Sequence, residues 1–148
     1  ESLDIIEGMA SSGVAAAFYY TYGRLIQTDS QTISPLGTAF RHLARLQGRQ
    51  IKCETTTGSG ALATLESDGA IRAFFWTAAS DPGRISIRPG SGADFGSFPF
   101  YSLNIYRENA LPMAYTGVPE QDGIVSVTLP EGGRRMVSVV FHAGRQVP

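Results

Sequence analysis

The feature that most constrains this chain is the change of period after Gly48. From there on, apolar and polar residues alternate over short runs broken by Gly, Pro and Asp, the pattern of half-buried strands rather than helices. Seven candidate strands, at 49–57, 61–66, 70–76, 84–88, 98–106, 123–129 and 134–142, follow one another with turn signals between them. Ser67-Asp68-Gly69, joining ALATLE to AIRAFFW, is the clearest hairpin. In the last strand Val137, Val139 and Phe141 share one face, and Met136, Ser138, Val140 and His142 share the other. Such a series predicts an antiparallel β-sandwich or barrel over residues 49–148. The Pro- and Gly-rich stretch 89–99 reads as a long surface loop.

The first 48 residues have a different grammar. Residues 1–13 predict a short helix with Ser2 as its cap, Leu3, Ile6 and Met9 at helical spacing, and Ser12-Gly13 as the stop. VAAAFYYTY, residues 14–22, opens as a continuous small apolar run without alternation, as expected of a strand covered on both faces. A polar loop through Thr32 follows. SPLGTAFRHLARLQG, residues 34–48, then predicts a helix capped by Ser34, with Pro35 at its first position and Gly48 as its stop. Leu36, Ala39, Phe40, Leu43, Ala44 and Leu46 form its apolar stripe, and Arg41, His42 and Arg45 are expected on the wet side. The fold class predicted is therefore mainly β, an antiparallel β-sandwich preceded by a short helix-strand-helix segment.

Charge and composition remove several classes of function. Twelve basic against thirteen acidic residues give a net charge of -1, which supplies no attraction for nucleic acid or an anionic membrane. Arg134-Arg135 is expected at the solvated start of a strand. Cys53 is the single cysteine, so an internal disulfide and a cysteine-cluster metal site are both ruled out; the expectation is a buried thiol acting as a small apolar side chain. No apolar run is long enough to span a membrane. No leader-like segment opens the chain, and its start at Glu1 is expected to mark a processed or excised piece.

No residue set declares a reaction. Asp81, Asp94 and Asp122 sit in turn-like settings, and Glu54 and Glu66 are carboxylates in predicted strands that can oppose one another but are expected on a solvated face. His42 and His142 have no metal-ligand spacing, and GSGADFG and TTGSGA lack the features of a phosphate loop. No catalytic residue, metal or cofactor is therefore assigned. Aromatics are the remaining lead, because the C–H face of a sugar packs on an aromatic ring. Trp76 is expected chiefly in the core, whereas Tyr20 and Tyr22 end the buried run, and Trp76 and Tyr101 are the aromatics whose mutation would test sugar binding.

The order EGMASSGVAAAFYYTYG, SPLGTAFRHLARLQG, ALATLESDGAIRAFFW resembles the end of the retaining glycoside hydrolases of the large clan built on a TIM barrel. The resemblance implies that residues 1–48 are the last barrel strand and helix, and that residues 49–148 are the β-sandwich domain packed beside the barrel. It implies an acid/base and a nucleophile glutamate at earlier barrel strand ends, neither of which falls on this chain. It places Tyr20 and Tyr22 beneath the sugar, with Arg24 and Gln27 flanking the cleft. It further implies a non-catalytic accessory domain whose partners are a catalytic barrel and carbohydrate, working in an extracellular or periplasmic space. A free-standing carbohydrate-binding module and a jelly-roll-like structural or assembly protein are the alternatives that the composition permits.

Overall fold

The computed structural model describes residues 2–12, 26–27, 32–55, 60–77, 83–90, 98–107, 110–131 and 135–144. The chain divides into two compact units, Glu1–Arg45 and Leu46–Pro148. It is mainly β and sandwich-like, and every strand pairing among the described residues is antiparallel. No helix among them is long and apolar enough to cross a membrane.

In the N-terminal unit, helix α1 (Ser2–Ser11) ends where the Ser12 amide and hydroxyl both donate to the Gly8 carbonyl. Within the expected loop, β1 (Ile26–Gln27) pairs with β2 (Thr32–Ile33), a two-residue ribbon. The predicted strand at 14–22 lies outside the described residues. Helix α2 (Pro35–Leu43) begins as its sequence dictates: Ser34 is extended, and its hydroxyl accepts from the Gly37 amide at 3.0 Å. Its end departs from expectation. The helix stops at Leu43 with Ala44 as a right-handed cap, five residues before Gly48. Gly48 is absent from the positive-φ glycines, so it is no left-handed stop. A Cβ there would collide with the backbone of Leu65, and close approach is what demands glycine at this position.

The C-terminal unit holds β3 (Arg49–Ile51), β4 (Gly60–Leu65), β5 (Ile71–Thr77), β6 (Arg84–Ile87), β7 (Phe100–Arg107), β8 (Met113–Gly117), β9 (Val125–Thr128) and β10 (Arg135–His142). A six-stranded sheet runs β3-β4-β5-β10-β7-β8, and β6 pairs with β9 as a second layer. The β4–β5 hairpin closes as predicted around Ser67-Asp68-Gly69. Glu66 N–H donates to Ala70 O, Asp68 Oδ1 accepts from the Ala70 amide, and Gly69 takes φ 82°. The same chemistry recurs between β8 and β9, with Glu120 N–H to Ile124 O and Gly123 at φ 77°.

Alternation sorts the sheet into two faces. Val137, Val139 and Phe141 of β10 stand in register with Ile105, Leu103 and Tyr101 of β7 and with Phe75, Ala73 and Ile71 of β5. This inner face meets Val125, Val127 and Leu129 in one apolar core, with Ile85 and Ile87 of β6 packed against it. β10 lies between β5 and β7, which precede it in sequence, so these two strands join one sheet only when β10 is in place.

Candidate functional site

Of the residues expected at a sugar cleft, Tyr20, Tyr22 and Arg24 lie outside the described residues, and Gln27 is described through its backbone, paired with Thr32. Glu54 and Glu66 do not form a pair. Glu54 lies beyond β3 in an exposed ion pair with Lys52 at 2.7 Å, whereas Glu66 accepts from Thr64 Oγ1 at 2.7 Å and stands 3.9 Å from Arg72 Nε. Cys53 is half-buried beyond the end of β3, its thiol 3.9 Å from the Ile51 carbonyl. Among the described residues no group of three His, Cys, Asp or Glu is placed to hold a metal ion.

Two basic residues expected in solvent are buried instead. His42, on the side of α2 read as wet, is only 8% exposed, one helical turn from the fully buried Ala39. Burial, reinforced by the charges of Arg45 and then Arg41, lowers its imidazole to about 4. Arg135, expected at a solvated strand start, is 3% exposed because it shares the inward parity of Val137 and Val139. Its Nε donates to Thr77 Oγ1 at 3.3 Å and its Nη1 to the Pro130 carbonyl at 2.9 Å. Arg107 is its register partner on β7.

The aromatics redistribute by parity. Trp76 is half-buried on the outer face of the sheet, tilted at 6.0 Å against the buried Phe74, while Phe75 packs inward. Tyr101 also faces inward against the core, so it offers no open ring. Its neighbour Phe100 does: it is 47% exposed and stacks on His142 with ring centroids 4.4 Å apart and planes 17° apart. The His142 Nε2 in turn lies 2.7 Å from Ser102 Oγ. Alternation within 98–106 carried this signal, since Leu103 and Ile105 facing inward oblige Phe100, Ser102 and Asn104 to face outward.

A serine hydrogen-bonded to a histidine invites a nucleophilic reading, but the backbone argues against it. Ser102 lies within β7 with β10 on one side and β8 on the other, so the surrounding amides belong to the ladders. Acyl transfer needs N–H groups aimed at a developing oxyanion, and ladder amides are already committed. What remains is a binding geometry: a braced, exposed aromatic ring beside hydroxyl and amide side chains. No family model, curated protein or solved structure matches the chain.

Proposed function

We propose that this chain is a non-catalytic β-sandwich accessory domain of a glycoside hydrolase, its residues 1–48 contributing the terminal strand and helix of a catalytic barrel that acts on a polysaccharide or glycoside. The reading is supported by one observation: among the described residues, the sandwich core from Ile71 to Phe141 is assembled from residues after Leu46. A unit that completes its own core releases the capped helix before it to serve another structure. Both catalytic glutamates then lie on the barrel, in keeping with the resemblance in the order of elements.

The test is made on native material. An active-site-directed cyclitol epoxide or aziridine, which esterifies the nucleophile of retaining glycosidases, is applied to the source extract, and the labelled polypeptides are mapped after proteolysis. The expected result is a labelled polypeptide, or tight complex, whose digest contains the peptides around Ser34–Gly48. A native chain recovered with no labelled polypeptide attached or associated overturns the reading. A free-standing carbohydrate-binding module is the second reading, favoured by the exposed Phe100 ring braced on His142.

A further inference from the structure

We infer that the outer face of β10, β7 and β8 is a binding strip for a neutral, extended oligosaccharide, with the Phe100–His142 stack as its stacking platform. The inference rests on carbohydrate as the ligand class and on nothing about a barrel.

Register lays out the strip. Phe100 faces His142, Ser102 faces Val140 and Thr116, Asn104 faces Ser138 and Ala114, and Tyr106 faces Met136. Three properties of this surface select its ligand. The first is charge: across the outward positions of these three strands there is no Asp, Glu, Lys or Arg. On these three strands an anionic sugar, a nucleic acid or an acidic peptide would find no counter-charge, and the outward Arg72 of the adjoining β5, in register with Val140, already has Glu66 at 3.9 Å. The second is chemistry. Ser102, Ser138 and Thr116 present hydroxyls and Asn104 an amide, groups that both donate and accept, as sugar hydroxyls do. The third is shape. Phe100 and Tyr106 are six residues apart on one strand, so the aromatics bracket a strip about 20 Å long, the reach of a short extended oligosaccharide.

The platform is also held in place before any ligand arrives. His142 covers one side of the Phe100 ring, and the 2.7 Å contact to Ser102 fixes the imidazole. A ring held this way loses little freedom when a sugar packs on it. Strands carry the strip, and the apolar residues directly beneath it are Leu103, Ile105, Val137 and Val139, each at most 1% exposed.

The whole 148-residue chain, 15N-labelled, is titrated with cellohexaose, xylohexaose and mannohexaose, with oligogalacturonate as the charged comparison. Saturable amide shifts are expected in Phe100–Arg107, Met113–Gly117 and Arg135–His142 with at least one neutral probe, and none with the charged one. Phe100→Ala should weaken that binding about tenfold while the melting transition stays in place. Thr116→Val, which keeps shape and removes a hydroxyl at an exposed position, should weaken it a few-fold. The inference is overturned if no neutral probe gives saturable shifts at millimolar concentration, if the shifts saturate elsewhere on the sheet, or if folded Phe100→Ala binds as the parent does. Any of these leaves the labelling experiment on native material unaffected, so the two readings fail separately.

Discussion

The two faces of the six-stranded sheet are made by the same strands, and they have opposite tasks. On the inner face Val137, Val139, Phe141, Leu103 and Ile105 are each at most 2% exposed. One residue along, on the same strands, Ser138, Val140, Ser102 and Asn104 are half-buried and Phe100 is open. Alternation thus lets one segment specify the fold with its odd positions and leave its even positions for a ligand. The outer face is itself graded, because Leu62, Thr64 and Phe74 on β4 and β5 are as buried as core residues. At its β10-β7-β8 end the outward Phe100, Ala114 and Thr116 are exposed.

The largest expected difference between the faces is read from two phenylalanines. Phe141 is 2% exposed and packs its ring at 5.6 Å against Phe98, so Phe141→Ala should cost about 3–5 kcal/mol in denaturant unfolding. Phe100→Ala, on a ring 47% exposed, should stay within about 1 kcal/mol. Equal losses would mean that the outer face carries the fold as much as the inner one does, and the division of tasks would be wrong.

The contrast between buried and open sides continues in α2, where it takes a pH dependence. The His42 imidazole is held neutral by burial, its pKa lowered from 6.5 to about 4. Because the folded value lies below the unfolded one, unfolding takes up a proton at mildly acidic pH. Stability of the N-terminal unit is therefore full above about pH 6.5 and falls as the pH drops from 6.5 to about 4, below which the loss is complete. The full difference amounts to about 3 kcal/mol at most. His42→Gln should flatten this slope between the two values while leaving the sandwich transition unchanged. An imidazole of His42 that titrates near its ordinary value by NMR would return the residue to the wet side of the helix.

These same residues show which parts of the fold were legible beforehand. The seven strands predicted after Gly48 each have a counterpart, although the one expected over 49–57 is a strand at Arg49–Ile51 and not at 52–55, because alternation and turn chemistry are local signals; the Ser67-Asp68-Gly69 hairpin was readable for the same reason. β8 was missed: its five residues lie between Pro112 and Pro119, and a short edge strand tolerates flanking prolines that a central one would not. His42 and Arg135 were misread since polar residues were assigned outward by type, whereas pitch and parity placed both of them inside. Tyr101, expected to test sugar binding, faces inward for the same reason of parity, and Phe100 beside it faces out. The outer strip spans three strands that are not consecutive in sequence, so its assembly depends on β10 inserting between β5 and β7. No local pattern encodes that.

Gly48 isolates one such tertiary demand. The helix before it ends early, and the glycine is required by the backbone of Leu65, which faces Arg49 across the β3–β4 ladder. Gly48→Ala should cost about 2 kcal/mol, because the atoms it would meet, of Leu65 and Glu66, are main chain and cannot swing aside. If the residue were a helix stop instead, Gly48→Asn would be tolerated better than Gly48→Ala, since asparagine accepts left-handed backbone. Thermal melts of the two variants separate these roles.

The smallest expected effect lies at the end of the inner face, where Arg135 and Arg107 stand directly opposite each other. Like charges in register oppose pairing, and the two side chains meet that cost differently. Arg135 donates to Thr77 Oγ1 and to the Pro130 carbonyl, so Arg135→Met should lose about 2 kcal/mol by stranding buried acceptors. Arg107 makes only a 3.5 Å contact from Nη1 to the Glu131 carbonyl, and its Nε is buried with no hydrogen-bond partner among the described residues. Arg107→Met keeps the stem's packing, removes that orphaned donor and ends the like-charge opposition. It should be neutral or stabilise by up to about 1 kcal/mol. Should Arg107→Met instead cost as much as Arg135→Met in denaturant unfolding at matched salt, Arg107 must have a partner of its own at this edge. The inner face would then hold a second polar site beside its apolar core, and the assignment of recognition to the outer face alone would no longer stand.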